Sequence, residues 1–201
     1  MKRKAWLIVG CICVASVSSL EGKPVPKGFV EQALEPTGGK VNKPRGWFYA
    51  ESHAKENGAF HFTWTLSKEK PKDGHYDTGL RIQYFIGVRK ATGKTPKQFI
   101  LEFIEKKRKE AKVIPRDCTP RTEGLFTRMC LETEEGPYHI LYSLLWDNVG
   151  DDAGVTISGA RKEEWEKWAP VFDQMRQITV LNLEHMERKA AAEKRQQSKK
   201  K

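Results

Sequence analysis

The 201-residue sequence contains no apolar run long enough to cross a bilayer, which takes about 20 residues; the longest, Ala5–Val17, falls short. No segment of this sequence therefore reads as a membrane-spanning helix. Metal-binding and catalytic signatures are missing too. None of the five histidines (His53, His61, His75, His139, His185) belongs to an HExxH, an HxH or a CxxC-with-histidine arrangement, so no zinc spacing is present. No Gly-x-Ser-x-Gly elbow frames Ser143 or Ser158, which removes the usual serine nucleophile. In Gly87–Thr95 the first Gly stands one residue too far ahead of Gly93-Lys94-Thr95 for a phosphate loop. Asp147, Asp151 and Asp152 surround Gly150, yet Val149 falls where a calcium ligand is needed, so the segment reads as a solvated turn. No cofactor is implied, and catalytic, cofactor and metal residues are expected to be none.

Cysteine is also scarce, with four in the chain, and their placement is informative. Met1-Lys2-Arg3-Lys4, the uncharged Ala5–Val17 and the small Ser16, Ser18 and Ser19 form the three regions of a secretory signal. Cleavage after Ser18 or Ser19 removes residues 1–18, and Cys11 and Cys13 with them. A competing reading takes Ile8-Val9-Gly10-Cys11 as a lipobox with Cys11 lipidated. Against it, apolar sequence continues through Ile12, Val14 and Val17, where a lipoprotein tether is polar. Either way the protein is expected outside the cytoplasm, periplasmic or extracellular. Cys118 and Cys130 then remain as an even pair in a compartment where disulfides persist. A turn at Thr122-Glu123-Gly124 sets them opposite each other in a hairpin, close enough for a disulfide.

Excess charge of one sign is absent from the body. The net charge is +10, but Lys2, Arg3 and Lys4 supply +3 and the tail from Arg188 onward +6. Removing both leaves about +1 for the folded part. A nucleic-acid reader concentrates basic charge on a folded face, so nucleic acid is excluded as a partner.

What is present is strand and helix periodicity. Residues 19–45, rich in Pro and Gly, have no sustained period and read as an extended, loosely held lead-in. Strands follow at Gly46–His53, at Phe60–Leu66 and at Leu80–Val88, the last two with clear alternation. Thr95-Pro96-Lys97-Gln98 is a capping box opening an amphipathic helix with Phe99, Ile100, Phe103 and Ile104 on one face. Leu125–Glu132 and Tyr138–Trp146 are strands; the second is apolar on both faces, as a covered central strand is. Val155 and Ile157 begin another. Trp165, Trp168, Phe172 and Met175 mark a closing helix with a core face, interrupted at Pro170, where a kink or restart is expected. Residues 183–201 are basic, helix-prone or disordered.

This order of elements, together with Trp165-x-x-Trp168-x-Pro170-x-Phe172-x-x-Met175, resembles the PsbP-like superfamily over residues 46–182. That group includes the extrinsic photosystem II protein P, a Ran-binding import factor and bacterial exported proteins of unassigned role. The resemblance implies an α+β fold, a central antiparallel sheet of about six to seven strands between two amphipathic helices. It also implies a non-catalytic binding or assembly accessory whose partner is an extracytoplasmic protein or small ligand. No ligand residues carry over, because no matching motif occurs. The alternative from another class is an extracytoplasmic hydrolase that assembles His61 or His139 with Asp147 in space. A third reading is a surface-tethered structural protein: membrane contact follows only from lipidation at Cys11 or from the basic tail.

Two measurements check these expectations. Intact-mass analysis of the exported protein should show loss of about eighteen residues; a diacylglycerol on Cys11 would replace signal cleavage by lipidation. Thiol titration of the unfolded, cleaved protein should find no free thiol before reductant and both Cys118 and Cys130 after it.

Overall fold

The computed structural model describes residues 24–72 and 74–182. The leader with Cys11, Ser18 and Ser19, and the tail with His185, lie outside the described residues. The chain forms β1 (Phe29–Leu34), β2 (Gly38–Pro44), β3 (Phe48–Glu56), β4 (Ala59–Ser67) and β5 (Gly79–Ile86). Then come α1 (Val88–Thr92), α2 (Pro96–Glu110), β6 (Lys112–Val113), β7 (Arg121–Glu123), β8 (Phe126–Glu135), β9 (Tyr138–Asp147) and β10 (Asp152–Arg161). A 3₁₀ turn at Lys162–Glu164 leads into α3 (Trp165–Met175), and β11 (Ile178–Leu181) closes the described chain.

The expected α+β class is found, with a larger sheet than the sequence suggests. Eight antiparallel strands run in the order β3-β4-β5-β10-β9-β8-β6, with β7 paired to β8. Alternation sorts the side chains of this sheet onto two faces. Phe62, Trp64, Leu66, Leu80, Ile82, Tyr84 and Leu141 point to one face, where Trp165, Phe172 and Met175 of α3 cover them. Leu131, Tyr142, Leu144, Trp146 and Val155 point to the other, against Ile100 and Ile104 of α2. β9 therefore lies inside the sheet with both faces packed, as its doubly apolar sequence requires.

The helix start at Thr95 forms as expected: Gln98 N donates to Thr95 Oγ1 at 3.2 Å, and Thr95 N donates to Gln98 Oε1 at 3.0 Å. α3 runs through Pro170 as one helix rather than restarting there. Its aromatic stripe is core, with Trp47 edge-on to Trp168 and to Phe172 at 5.7 and 6.4 Å between ring centroids.

The loosely held lead-in is corrected over residues 29–44. β1 and β2 form a hairpin, and β2 pairs with β11 to make a second, three-stranded antiparallel sheet. Three contacts hold this sheet in place. Leu34 and Val41 are buried in the α3-side core. The Thr37 hydroxyl lies 2.7 Å from Val180 O and 3.0 Å from Leu34 O. Trp64 Nε1 donates to Glu35 O at 2.7 Å, tying the hairpin to the main sheet. Gly39 is obligatory where β2 passes β11, since a Cβ there would stand 2.3 Å from Thr179 O. The buried positions of the hairpin, Leu34, Gly38, Gly39, Val41 and Pro44, include two glycines and do not alternate, so its sequence shows no period.

A buried carboxylate binds three elements together on the α3 side. Glu132 of β8, with 8% of its side chain exposed, accepts from Arg116 Nη1 at 2.6 Å and stands 2.5 Å from His139 Nε2 of β9. An ionised carboxylate only accepts, so the imidazole nitrogen facing it carries hydrogen. The His139 ring in turn stacks on Trp165 of α3, 4.0 Å between centroids. Burial pushes the Glu132 carboxyl up, but hydrogen bonds from Arg116 and His139 outweigh it and hold the group below the usual glutamate range. A carboxyl so depressed stabilises the fold at neutral pH, and the contribution is lost as pH falls through its folded value. Charged hydrogen bonds of this kind contribute about 2 kcal/mol. Glu132→Gln should therefore lower Tm by about 4–8 °C at pH 7. Melting curves should show the gap to wild type closing below about pH 4; a gap that ignores pH would remove the ionised carboxylate from the account.

Candidate functional site

The disulfide expected from the sequence is present. Cys118 and Cys130 are bonded with their Cα atoms 4.7 Å apart. The route differs in one respect. β7 pairs with β8 as Arg121↔Arg128, Thr122↔Thr127 and Glu123↔Phe126, one step out of the register that sets the cysteines directly opposite. Pro120 removes an amide just before β7, and the ladder stops there. The disulfide thus joins β8 to an irregular segment, residues 114–120, which would otherwise be held by few backbone bonds.

That segment forms one wall of a cavity of about 730 Å³ between the α3-side face of the main sheet and β11. Leu141, Leu145, Ile178, Val180 and Leu181 give it an apolar floor and side. Ser143, Thr156 and Tyr84 add hydroxyl groups from β9, β10 and β5. Each of these strands delivers its residue by the alternation that also builds the core, so the cavity is where the core face is left unfilled.

The charged residues of the cavity are unbalanced. Arg116, Arg121, Arg128 and Arg176 line it against Asp117 and Glu123, which makes the lining net +2. The arginines fall into two pairs. Arg121 and Arg128 oppose each other across the β7–β8 ladder, each with an exposed acidic partner, Asp117 at 3.3 Å and Glu123 at 3.4 Å. Arg116 and Arg176 sit at the Glu132 end. Arg176 is paired with the exposed Asp173, and its own side chain is only 21% exposed. Burial and then the neighbouring Arg116 push the Arg176 guanidinium below its ordinary value. At the Tyr84 end the Tyr84 hydroxyl donates to Asp152 Oδ2 at 3.0 Å, and burial raises both groups above their ordinary values.

The residues proposed for a hydrolase are not brought together. His61 faces α2, stacked on Phe85 at 4.3 Å, and burial lowers its imidazole. His139 faces α3 and is committed to Glu132 and Trp165. Asp147 ends β9, eight residues from His139, a span of about 26 Å along a strand. Its Oδ1 accepts from Val149 N and Gly150 N, both at 2.8 Å, so it builds the turn. Asp151 is used elsewhere, accepting from Arg89 N at 2.9 Å at the start of α1. His53 lies 6.3 Å from the Phe62 ring, and His75 bridges to Lys72 in a turn. Among the described residues no group of three His, Cys, Asp or Glu is placed to hold a metal ion.

Sequence reasoning found Cys118 and Cys130 but missed the cavity. Three of its arginines lie within residues 116–128 but the fourth, Arg176, is far from them in sequence, and one long wall is β11, whose four residues carry no distinctive pattern.

No family model and no curated protein matches the chain. Among solved structures, the chain is similar to the solution structure of cyanobacterial PsbP (CyanoP) from Synechocystis sp. PCC 6803. The two are 14% identical, the match covers 76% of this chain and 92% of that one, and the TM-score is 0.46.

Proposed function

We propose that this protein is an exported, non-catalytic binding protein whose site is the cavity between the main sheet and β11. One observation carries the reading: a space of about 730 Å³ remains on the core face of the sheet, with an apolar floor and a polar rim. Small-ligand sites are concave, largely apolar and about 300–1,000 Å³ in volume. The carboxylates in and around it are engaged in pairs, Asp117 with Arg121, Glu123 with Arg128, Glu132 with Arg116 and His139, and Asp152 with Tyr84. Export is supported by the Cys118–Cys130 bond, since such bonds persist outside the cytoplasm. Binding to a larger assembly remains compatible, with the ligand carried as cargo or as a cofactor of the interaction.

Nile red, a neutral dye that fluoresces in apolar sites, tests the cavity directly. It should bind the folded protein saturably at one equivalent. Ser143→Phe and Thr156→Phe each project a ring into the space and should weaken binding at least tenfold, with unchanged far-ultraviolet circular dichroism. Binding that neither folded variant weakens would place the dye elsewhere and refute the cavity as the site.

A further inference from the structure

The cavity lining carries four arginines against Asp117 and Glu123, and Arg116 and Arg176 have carboxylate partners, Glu132 and Asp173, outside that lining. We infer that the cavity's ligand is an amphiphilic anion with a single apolar chain, the head group held by Arg116 and Arg176 and the chain lying over Leu141, Leu145 and β11; this inference rests on the cavity reading above.

The head group is placed by comparing the two arginine pairs. Arg121 and Arg128 have side chains 73% and 60% exposed, so water screens them. The Arg116–Arg176 end is drier, with side chains 44% and 21% exposed, and charge attracts charge more strongly there. Both guanidinium groups line the cavity at this end, and planar forks of this kind hold an anion through paired N–H donors. Arg116 gives Glu132 one bond through Nη1, which leaves further N–H donors of its planar fork for a second acceptor.

The body of the ligand follows from the floor. Leu141 and Leu145 below and Ile178, Val180 and Leu181 beside it offer no hydrogen-bonding side chain over most of the length. A small hydrated anion such as sulfate would leave that surface uncovered, and a sugar or nucleotide would lose its hydrogen bonds against it. An alkyl chain covers it favourably, at roughly 25 cal/mol for each Å² removed from water. Ser143, Thr156 and the Tyr84 hydroxyl are spaced along the route and are too few to satisfy a polar body.

Competition against bound Nile red decides the class. Decanoate, decyl phosphate, 1-decanol and decylammonium share a chain and differ in head group. Both anions should displace the dye at concentrations at least tenfold below 1-decanol, and decylammonium should be the weakest. The tighter of the two anions identifies the head group as carboxylate or phosphate. With each competitor read against the variant's own Nile red affinity, Arg176→Gln should abolish the preference of anion over alcohol, and Arg176→Lys should retain part of it. Should 1-decanol compete as well as decanoate while Ser143→Phe still blocks the dye, the anionic class is refuted and the cavity stands. Absence of dye binding to wild type would instead refute the cavity. Should Arg176→Gln fail to fold, salt provides the second measure: raising it should weaken the anions and leave 1-decanol unaffected. Equal salt response would overturn the assignment.

Discussion

Strand β9 is apolar on both faces and, with β10, lies inside the main sheet, so neither face can be left to water. This requirement organises the rest of the chain. The α2 helix, started by its capping box, covers one face with Ile100 and Ile104. No single element is wide enough for the other. It is covered by α3, by the β1–β2 hairpin and by β11, drawn from both ends of the described chain. A cover assembled from several pieces fits less closely than one helix, and the cavity is the place where the pieces fail to meet the sheet.

Glu132 and the disulfide hold the margins of that incomplete cover. Glu132 gathers Arg116 from the 114–120 segment, His139 from β9 and, through the stacked imidazole, Trp165 from α3. The Cys118–Cys130 bond fixes the same segment to β8 where Pro115 and Pro120 prevent regular pairing. A cavity wall without a strand or helix of its own thus obtains its position from one ion cluster and one covalent bond. The arrangement leaves Arg116 both a structural partner of Glu132 and a lining residue of the cavity.

Most of the main sheet was legible in the sequence because its strands are half-buried and alternate. Phe60, Phe62, Trp64 and Leu66 repeat every second residue, as do Leu80, Ile82 and Tyr84, and both runs form strands within a residue or two of expectation. The helix at Thr95 was legible because capping is local chemistry. The β1–β2 hairpin was not, since its strands are held by backbone pairing and by Thr37 rather than by a buried stripe. β11 failed for the same reason. The His139–Glu132 pair lies seven residues apart on neighbouring strands, a relation that appears only once the β8–β9 register of Glu132↔Leu141 is known. The cavity was invisible because emptiness has no sequence pattern.

The three-stranded sheet also constrains the order in which the molecule is made. Thr37 meets Val180 across 143 residues of chain, and β2 has no partner on that side until β11 arrives. Contacts between such distant residues carry a large loop-closure cost and form after local ones. A growing chain can therefore complete the β3-β4-β5 meander while the hairpin waits. The cavity needs β11 for its wall, so it exists only once this long-range pairing is made. Until then the core face of the sheet stays open, and it is during this interval that the chain is most exposed to association with other unfinished chains.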